Sequence, residues 1–273
     1  MARAERRRRT RSNPVRGRQL GAIQRQILAV VSIASAIGTW WLVSATGLVS
    51  PVLLPAPAEV FQSLLRLSAD GTLLAHVRAS LFRVIQGFLL ALAVALPIGV
   101  AMGISPITRG LLEPLVELIR PIPPIAVIPL AMLWLGIGEL SKVFIIMFGA
   151  FFPILINTMA GFGAVDPVHV RAAQTLGAGR VAIFRDVVIR SAFPYMVVGA
   201  RLGMGLAFIV LVAAELIASS EGLGYLINDA RYRFQTSEIF LGMACIGALG
   251  FILNRVLLAV ERRLLRWKTE AQP

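Results

Sequence analysis

Lys142 and Lys268 are the only lysines in the 273 residues, and neither follows the glycine spacing of a phosphate-binding loop. ATP hydrolysis of the P-loop kind is therefore excluded on this chain. His76 and His169 are far apart and have no cysteine or carboxylate at ligand spacing, so no metal site is assigned. No Gly-x-Ser-x-Gly elbow occurs, and Glu113 and Glu117 stand one helical turn apart near a span boundary, the pattern of a solvated or interfacial face. No catalytic residue and no cofactor is assigned to the chain.

One carboxylate stands apart. Val210-Leu-Val-Ala-Ala-Glu-Leu-Ile places Glu215 near the outer end of an apolar run, where an unpaired charge costs on the order of a few kcal/mol. Two uses fit it: pinning by backbone or a basic residue to fix helix packing, or a place with Met204 and Phe208 along a solute pathway or gate. Gly199, Gly203 and Gly205 in the same run permit close helix approach and are read as packing positions.

The other distinctive stretch is polar and runs from Asp166 to Pro194. Asp166 can cap a helix and Pro167 suits its first turn, because a proline there forfeits no intrahelical bond. Ala172, Ala173 and Leu176 precede Gly177, Ala178 and Gly179. Ile183, Phe184, Val187 and Val188 then recur at helical spacing between Arg180, Arg185 and Asp186. The pattern is helix, glycine break, helix, and an amphipathic hairpin of this kind between apolar runs suits docking of a soluble partner.

The elements that must carry these residues are set by composition. Apolar residues make up 57% of the chain, charged residues 15%, and the mean hydropathy is +0.79, so the chain is an all-α integral membrane protein. Six spans are predicted: Ile27 to Val49, Val84 to Ile104, Ile119 to Leu135, Val143 to Phe162, Tyr195 to Ala218 and Ile239 to Val260. The third contains Pro121, Pro123, Pro124 and Pro129 and should be short, bent and packed against neighbours. The turn Leu54-Pro55-Ala56-Pro57 and Asp70-Gly71 bound an external loop, with an interfacial amphipathic helix around Glu59 to Leu67. Residues 1–26 form a basic arm, 27–260 the membrane domain with the hairpin 166–194, and 261–273 a tail.

The net charge is +13, but nine of the 27 basic residues precede Ile27: Arg3, Arg6, Arg7, Arg8, Arg9, Arg11, Arg16, Arg18 and Arg25. That distribution reads as a topology anchor in contact with lipid headgroups, not as a nucleic-acid arm. With the N-terminus inside, eighteen basic residues fall on the cytoplasmic side, including Arg109, Arg171, Arg180, Arg185, Arg190, Arg262, Arg263, Arg266 and Lys268. Six fall opposite: Arg66, Arg78, Arg83, Lys142, Arg231 and Arg233. Both termini and the hairpin are thus predicted to be cytoplasmic. Cys245 is the only cysteine and packs as a small hydrophobe, so no intrachain disulfide exists. No internal repeat points to an inverted-repeat carrier, and no paired intramembrane carboxylates point to a membrane-embedded enzyme.

The hairpin resembles the cytoplasmic signature of binding-protein-dependent ABC importer permeases: Glu-Ala-Ala, three residues, Gly, nine residues, Ile, one residue, Leu-Pro. Arg171-Ala172-Ala173 and Gly177 occupy its first part, and Val187 stands at the isoleucine position. Arg171 replaces the glutamate, and Ile189-Arg190 replaces Leu-Pro. From Trp40 onward the chain is similar to the nitrate, sulfonate and taurine branch, and within it to taurine permeases. The resemblance rests on Met102-Gly-Ile-Ser-Pro-Ile-Thr-Arg-Gly, Glu117-Leu-Ile-Arg-Pro-Ile-Pro-Pro, Leu133-Trp-Leu-Gly-Ile-Gly-Glu-Leu-Ser-Lys and Val212-Ala-Ala-Glu-Leu-Ile-Ala.

That resemblance implies a type I importer fold in the bacterial inner membrane and a homodimer of six-span subunits. It also implies two cytoplasmic ATPase subunits that bind ATP and Mg, and a periplasmic binding protein that delivers a small anionic or zwitterionic solute. Taurine or another alkanesulfonate is the first expectation, with nitrate, bicarbonate or a vitamin precursor as the alternative. Arg171, Ala172, Ala173, Leu176, Gly177 and Ala178 would couple the ATPases to the spans.

Overall fold

The computed structural model describes residues 22–265, and every element among them is helical. The arginines from Arg3 to Arg18, and Arg266 and Lys268 of the tail, lie outside the described residues. The described residues fall into two compact units, divided after Pro57. In the first, helix α1 (Ala22–Ala45) leads into a turn that folds back on it, the Trp40 indole N–H of α1 donating to the Pro55 carbonyl at 3.1 Å. The apolar part of α1, Val30–Ala45, is shorter than the ~20 residues of a full span.

The second unit opens on α2 (Pro57–Ala69), an amphipathic helix that buries Ser63 and Leu67, as its sequence pattern predicts. Gly71, at φ 78°, turns the chain into α3 (Thr72–Ile104), and the Asp70 carboxylate accepts from the Thr72 amide at 2.9 Å. Ser105 caps α4 (Pro106–Ile119). A 3₁₀ turn (Pro124–Val127) and α5 (Ile128–Leu135) follow, then α6 (Glu139–Gly163) and α7 (Pro167–Thr175). A helical turn α8 (Arg180–Ala182), a π-helical segment (Ile183–Ile189) and α9 (Arg190–Ala218) form one unbroken helix. Helices α10 (Leu223–Tyr232) and α11 (Thr236–Leu264) complete the unit.

Close approaches fix the direction of each helix. A Cβ on Gly87 would meet Ile146, one on Gly99 would meet Thr158, and one on Gly103 would meet Phe162; numbers that rise together mean that α3 and α6 run parallel. Gly149 meets Val210 while Gly161 meets Ala192 and Tyr195, so α6 and α9 are antiparallel. Phe208 lies on Gly250 and Arg201 pairs with Glu261 at 3.0 Å, so α9 and α11 are antiparallel too. The core between α3, α6 and α9 is built from Val84, Phe88, Ile146, Ile154, Leu155 and Leu211.

Parallel α3 and α6 oblige the intervening residues to carry the chain back along the bundle. The pair Pro106–Ile119 and Pro124–Leu135 does this with a bend of 88°. Prolines 121, 123, 124 and 129 withhold backbone donors there, so the return is broken instead of one straight helix. Four helices among the described residues are long and apolar enough to cross a membrane alone, Thr72–Ile104, Glu139–Gly163, Arg180–Ile217 and Thr236–Arg263, and the number is five where the bent pair is counted as one span.

Several expected boundaries are corrected. The return segment begins at Pro106, not Ile119, and the spans expected from Val84, Val143 and Tyr195 start at Thr72, Glu139 and Arg180. Arg83 and Lys142, which the sequence reading left just outside the spans, lie inside helices with their charges paired and buried. A charge lowers the hydropathy of a window without stopping a helix when a partner helix neutralises it.

Candidate functional site

The hairpin forms at the end of the bundle where α3 and α6 finish. The Asp166 carboxylate accepts from the Val168 amide at 2.8 Å and caps α7. At the other end of α7 the Ala178 amide donates to the Ala173 carbonyl at 3.0 Å and the Gly177 amide to Gln174 at 2.9 Å. This is the paired bond pattern that closes a helix on a left-handed residue, and Gly177 supplies it at φ 81°. Gly179 then starts the second arm.

Arg171, Ala172 and Gly177 are exposed, Ala173 and Ala178 half-buried, and Leu176 is 87% exposed. Between the arms lies a groove of 580 Å³ with Ala172, Ala173, Leu176, Val187 and Pro194 in its walls and His169, Asp186 and Arg190 among its polar groups. Ile183 is buried, and the Phe184 ring stacks on Phe162 of α6, centroids 6.5 Å apart and planes at 20°. Small residues in the walls, an exposed apolar side chain at Leu176 and the basic Arg190 beside the acidic Asp186 suit a partner with an apolar ridge and polar edges. The second arm is continuous with α9, so a displacement of the hairpin is a displacement of that helix. Ile189-Arg190, where the family pattern has Leu-Pro, sits at the end of the π-helical segment, and the helix runs through it unbroken. Pro194 lies inside α9.

A second polar constellation occupies the opposite end. Arg83 of α3 donates through Nε and Nη2 to Glu139 at 2.6 and 2.8 Å, and through Nη1 to Glu215 at 2.7 Å and the Glu221 carbonyl at 2.6 Å. Lys142 donates to Glu139 at 2.8 Å. Ser80 donates to the Glu215 carboxylate at 2.8 Å and accepts from the Leu223 amide at 2.8 Å. The Gly224 amide donates to Glu215 at 3.0 Å, and the Gly222 amide to His76 Nδ1 at 3.1 Å. Two cations meet two carboxylates, so the cluster is neutral and its bonding is directed inward. It ties α3, α6, α9 and the start of α10 together. Beside it a cleft of 850 Å³ runs between α3 and α6, polar at Arg83, Gln86 and Glu139 and apolar along Leu89, Leu90 and Val143.

Glu215 is 1% exposed and enclosed by these partners. Met204 packs in the α3–α6–α9 core, and Phe208 lies against it and against Gly250. The structure thus brings the six hairpin residues together and sets Glu215, Met204 and Phe208 apart from them. Sequence reasoning did not bring His76, Ser80, Arg83, Glu139 and Lys142 together as a site. The usable signal was the period: His76, Ser80 and Arg83 fall at helical spacing upstream of the apolar run. Glu113 pairs with Arg109 at 2.9 Å on the surface of α4. No group of three His, Cys, Asp or Glu among the described residues could hold a metal ion.

Residues 87–269 match the model of a family described as the binding-protein-dependent transport system inner membrane component. The chain belongs to this family. It is 39% identical to the taurine transport system permease protein TauC of Escherichia coli (strain K12) over 256 residues, 92% of this chain and 93% of that protein. It is 36% identical to the putative aliphatic sulfonates transport permease protein SsuC of Bacillus subtilis (strain 168) over 232 residues, 85% and 84% of the two chains. Among solved structures, inward-facing forms of the MetNI methionine ABC transporter share the fold at a TM-score of 0.58 and 20% identity, over 71% of this chain and 95% of that one. The protein is therefore a multi-pass inner membrane permease of the importer class. Its work is passage of solute, not chemical conversion.

Proposed function

We propose that this permease imports a small sulfonate, taurine first, across the inner membrane as part of an ATP-driven importer. The observation that carries the substrate class is the 39% identity to a taurine permease over nearly the full length of both chains. In this reading α1 provides a sixth span, both termini and the hairpin face the cytoplasm, and two copies of the chain flank the path. Two ATPase subunits bind ATP and Mg and seat against Arg171, Ala172, Ala173, Leu176, Gly177 and Ala178, and a binding protein delivers solute from the other side. Glu215 holds the helix ends in register, while Met204 and Phe208 sit on the packed helix that the hairpin displaces. Coupling requires the ATPases to bind the hairpin differently in their two states, and the continuity of the second arm with α9 supports transmission along that helix.

The test is uptake of labelled taurine into proteoliposomes holding the permease, its ATPase and its binding protein. ATP-dependent uptake, competed by a longer alkanesulfonate and not by nitrate or bicarbonate, is the expected result. Competition by nitrate or bicarbonate alone moves the substrate to the inorganic anions, and uptake without ATP overturns the importer reading in favour of a secondary carrier.

A further inference from the structure

Between Glu238 and Glu261, helix α11 carries a single charge, Arg255. Among the described residues no carboxylate reaches it, and the one partner of its guanidinium is the ring of Phe251, whose centre lies 4.9 Å away. The other arginine at the contact between α9 and α11 is different, because Arg201 is neutralised by Glu261 at 3.0 Å. Arg255 is exposed, as are Asn254 beside it and the Phe251 ring.

Neighbouring helices give the depth of this charge. Phe208 of α9 lies on Gly250 of α11 and the two helices are antiparallel, so Phe251 and Arg255 stand level with residues 203–207 of α9. A Cβ on Gly203 would meet Ala150 and Ile154, and these lie at the middle of α6, which runs Glu139–Gly163. At the helical rise the guanidinium is about 15 Å from either end of α6, half the thickness of a bilayer's hydrocarbon core. An arginine in such a place usually relieves its position by reaching along the helix to the nearer interface. Arg255 leans the other way. Phe251 is one turn toward the N-terminus of α11, so the side chain points away from the hairpin end and into the centre.

A charge at that depth faces water, a counter-ion or a partner, and residues of this kind line pathways. A lipid phosphate is too far away, since headgroups stop about 15 Å short of the site. A packing role would supply a carboxylate, as Glu261 does for Arg201. The stack on Phe251 leaves the guanidinium edge free, and that edge is a fork of N–H donors matched to an oxyanion. On the side away from the hairpin the same face of α11 carries Ala244 and Ala248, both exposed and at helical spacing from Phe251 and Arg255. Their short side chains leave the guanidinium open to approach from that side.

We propose that Arg255 is the anion-binding residue of the transport path, its guanidinium receiving the sulfonate of the solute half-way across the membrane with the Asn254 amide as a second donor. This rests on the importer reading above, which makes the solute a small sulfonate and sets the path between two copies of the chain. A single guanidinium shared with an aromatic face holds an anion firmly enough to draw it from water and weakly enough to release it, as passage requires.

The test uses proteoliposomes holding the permease, its ATPase and its binding protein, with uptake of labelled taurine and ATP hydrolysis read together. Arg255→Gln is expected to lower the taurine carried per ATP hydrolysed by about tenfold or more, with the thermal midpoint of the permease–ATPase complex unchanged or raised. Arg255→Lys, which keeps the charge and loses the fork, is expected to keep about a third or more of the wild-type ratio. Wild-type uptake with an unchanged ratio in Arg255→Gln overturns the proposal and leaves the importer reading intact. A midpoint lowered by Arg255→Gln makes Arg255 a contact between copies and overturns the proposal as well. Absence of ATP-dependent taurine uptake by the wild type overturns that reading and this proposal with it. Arg255→Cys in a Cys245→Ser background gives an independent readout. Aminoethyl methanethiosulfonate, which restores a cation at the position, is expected to recover uptake, whereas the sulfonatoethyl reagent is expected to react without recovering it. A thiol that neither reagent reaches faces lipid, and recovery by both makes size the requirement instead of charge; each result overturns the proposal.

Discussion

Arg83 of α3 meets Glu215 of α9 at 2.7 Å across 132 residues of sequence, and both side chains are almost fully buried. Neither could stand there alone. Arg83→Met leaves the Glu215 carboxyl with only Ser80 and the Gly224 amide as partners, and removal of one member of a buried pair costs about 3–5 kcal/mol. The expected order of thermal midpoints in detergent is wild type, then the double variant Arg83→Met with Glu215→Gln, then Arg83→Met lowest. Arg83→Met at the wild-type midpoint would remove the structural role assigned to the pair.

Gly222 and Gly224 make room for that carboxylate. A Cβ on Gly224 would stand 2.7 Å from Glu215 Cβ and 2.9 Å from the Val212 carbonyl, both inside contact distance. Gly224→Ala is therefore expected to destabilise by about 1–3 kcal/mol, the usual cost of overpacking. Gly247 in α11 has nothing within 4 Å of its would-be Cβ, so Gly247→Ala should gain up to about 1 kcal/mol from helix propensity alone. Thermal unfolding of the two variants side by side checks the contrast.

At the hairpin, space is not the constraint. Nothing lies within 4 Å of a Cβ on Gly177, yet its φ of 81° is one that side chains resist. Gly177→Asp is expected to leave the protein in the membrane at normal level while lowering both transport and transport-stimulated ATP hydrolysis. Gly177→Asn should be milder, because asparagine tolerates the left-handed region better than other residues with side chains. Unimpaired uptake by Gly177→Asp at normal expression refutes the role.

Phe184 fastens the second arm to α6 through its stack on Phe162. Phe184→Ala should lower the ratio of solute transported to ATP hydrolysed, with ATPase binding kept, since motion of the arm then reaches α9 but is no longer fastened to α6. Equal losses of uptake and hydrolysis in reconstituted vesicles would make the stack merely structural.

Much of this was legible without coordinates. Asp166, Pro167 and Gly177 mark the start and end of α7 through local chemistry, and the amphipathic pattern of Glu59 to Leu67 gave α2. The apolar runs located α3, α6, α9 and α11 at their centres, because burial in lipid or protein demands the same residue types. Their ends were misjudged, since Arg83 and Lys142 look like solvent residues when read alone. The prolines at 121, 123, 124 and 129 announced a bend, but only α3 running parallel to α6 establishes that the bent segment traverses the bundle.

Sequence by itself thus determined what is local or compositional: the membrane class, the hairpin with its glycine break, the absence of a phosphate-binding loop and, through aligned segments, the family. Tertiary structure decided what depends on partners distant in the chain. Sequence leaves Glu215 either a pathway group or a packing pin, and its enclosure by Arg83, Ser80 and Gly224 arises only where α3, α9 and α10 converge. The left-handed backbone of Phe234, at φ 56°, was equally invisible, because a residue type does not announce it; the bonds closing α10 impose it. Local propensity is written residue by residue, whereas compensation of a buried charge exists only once the helices have met.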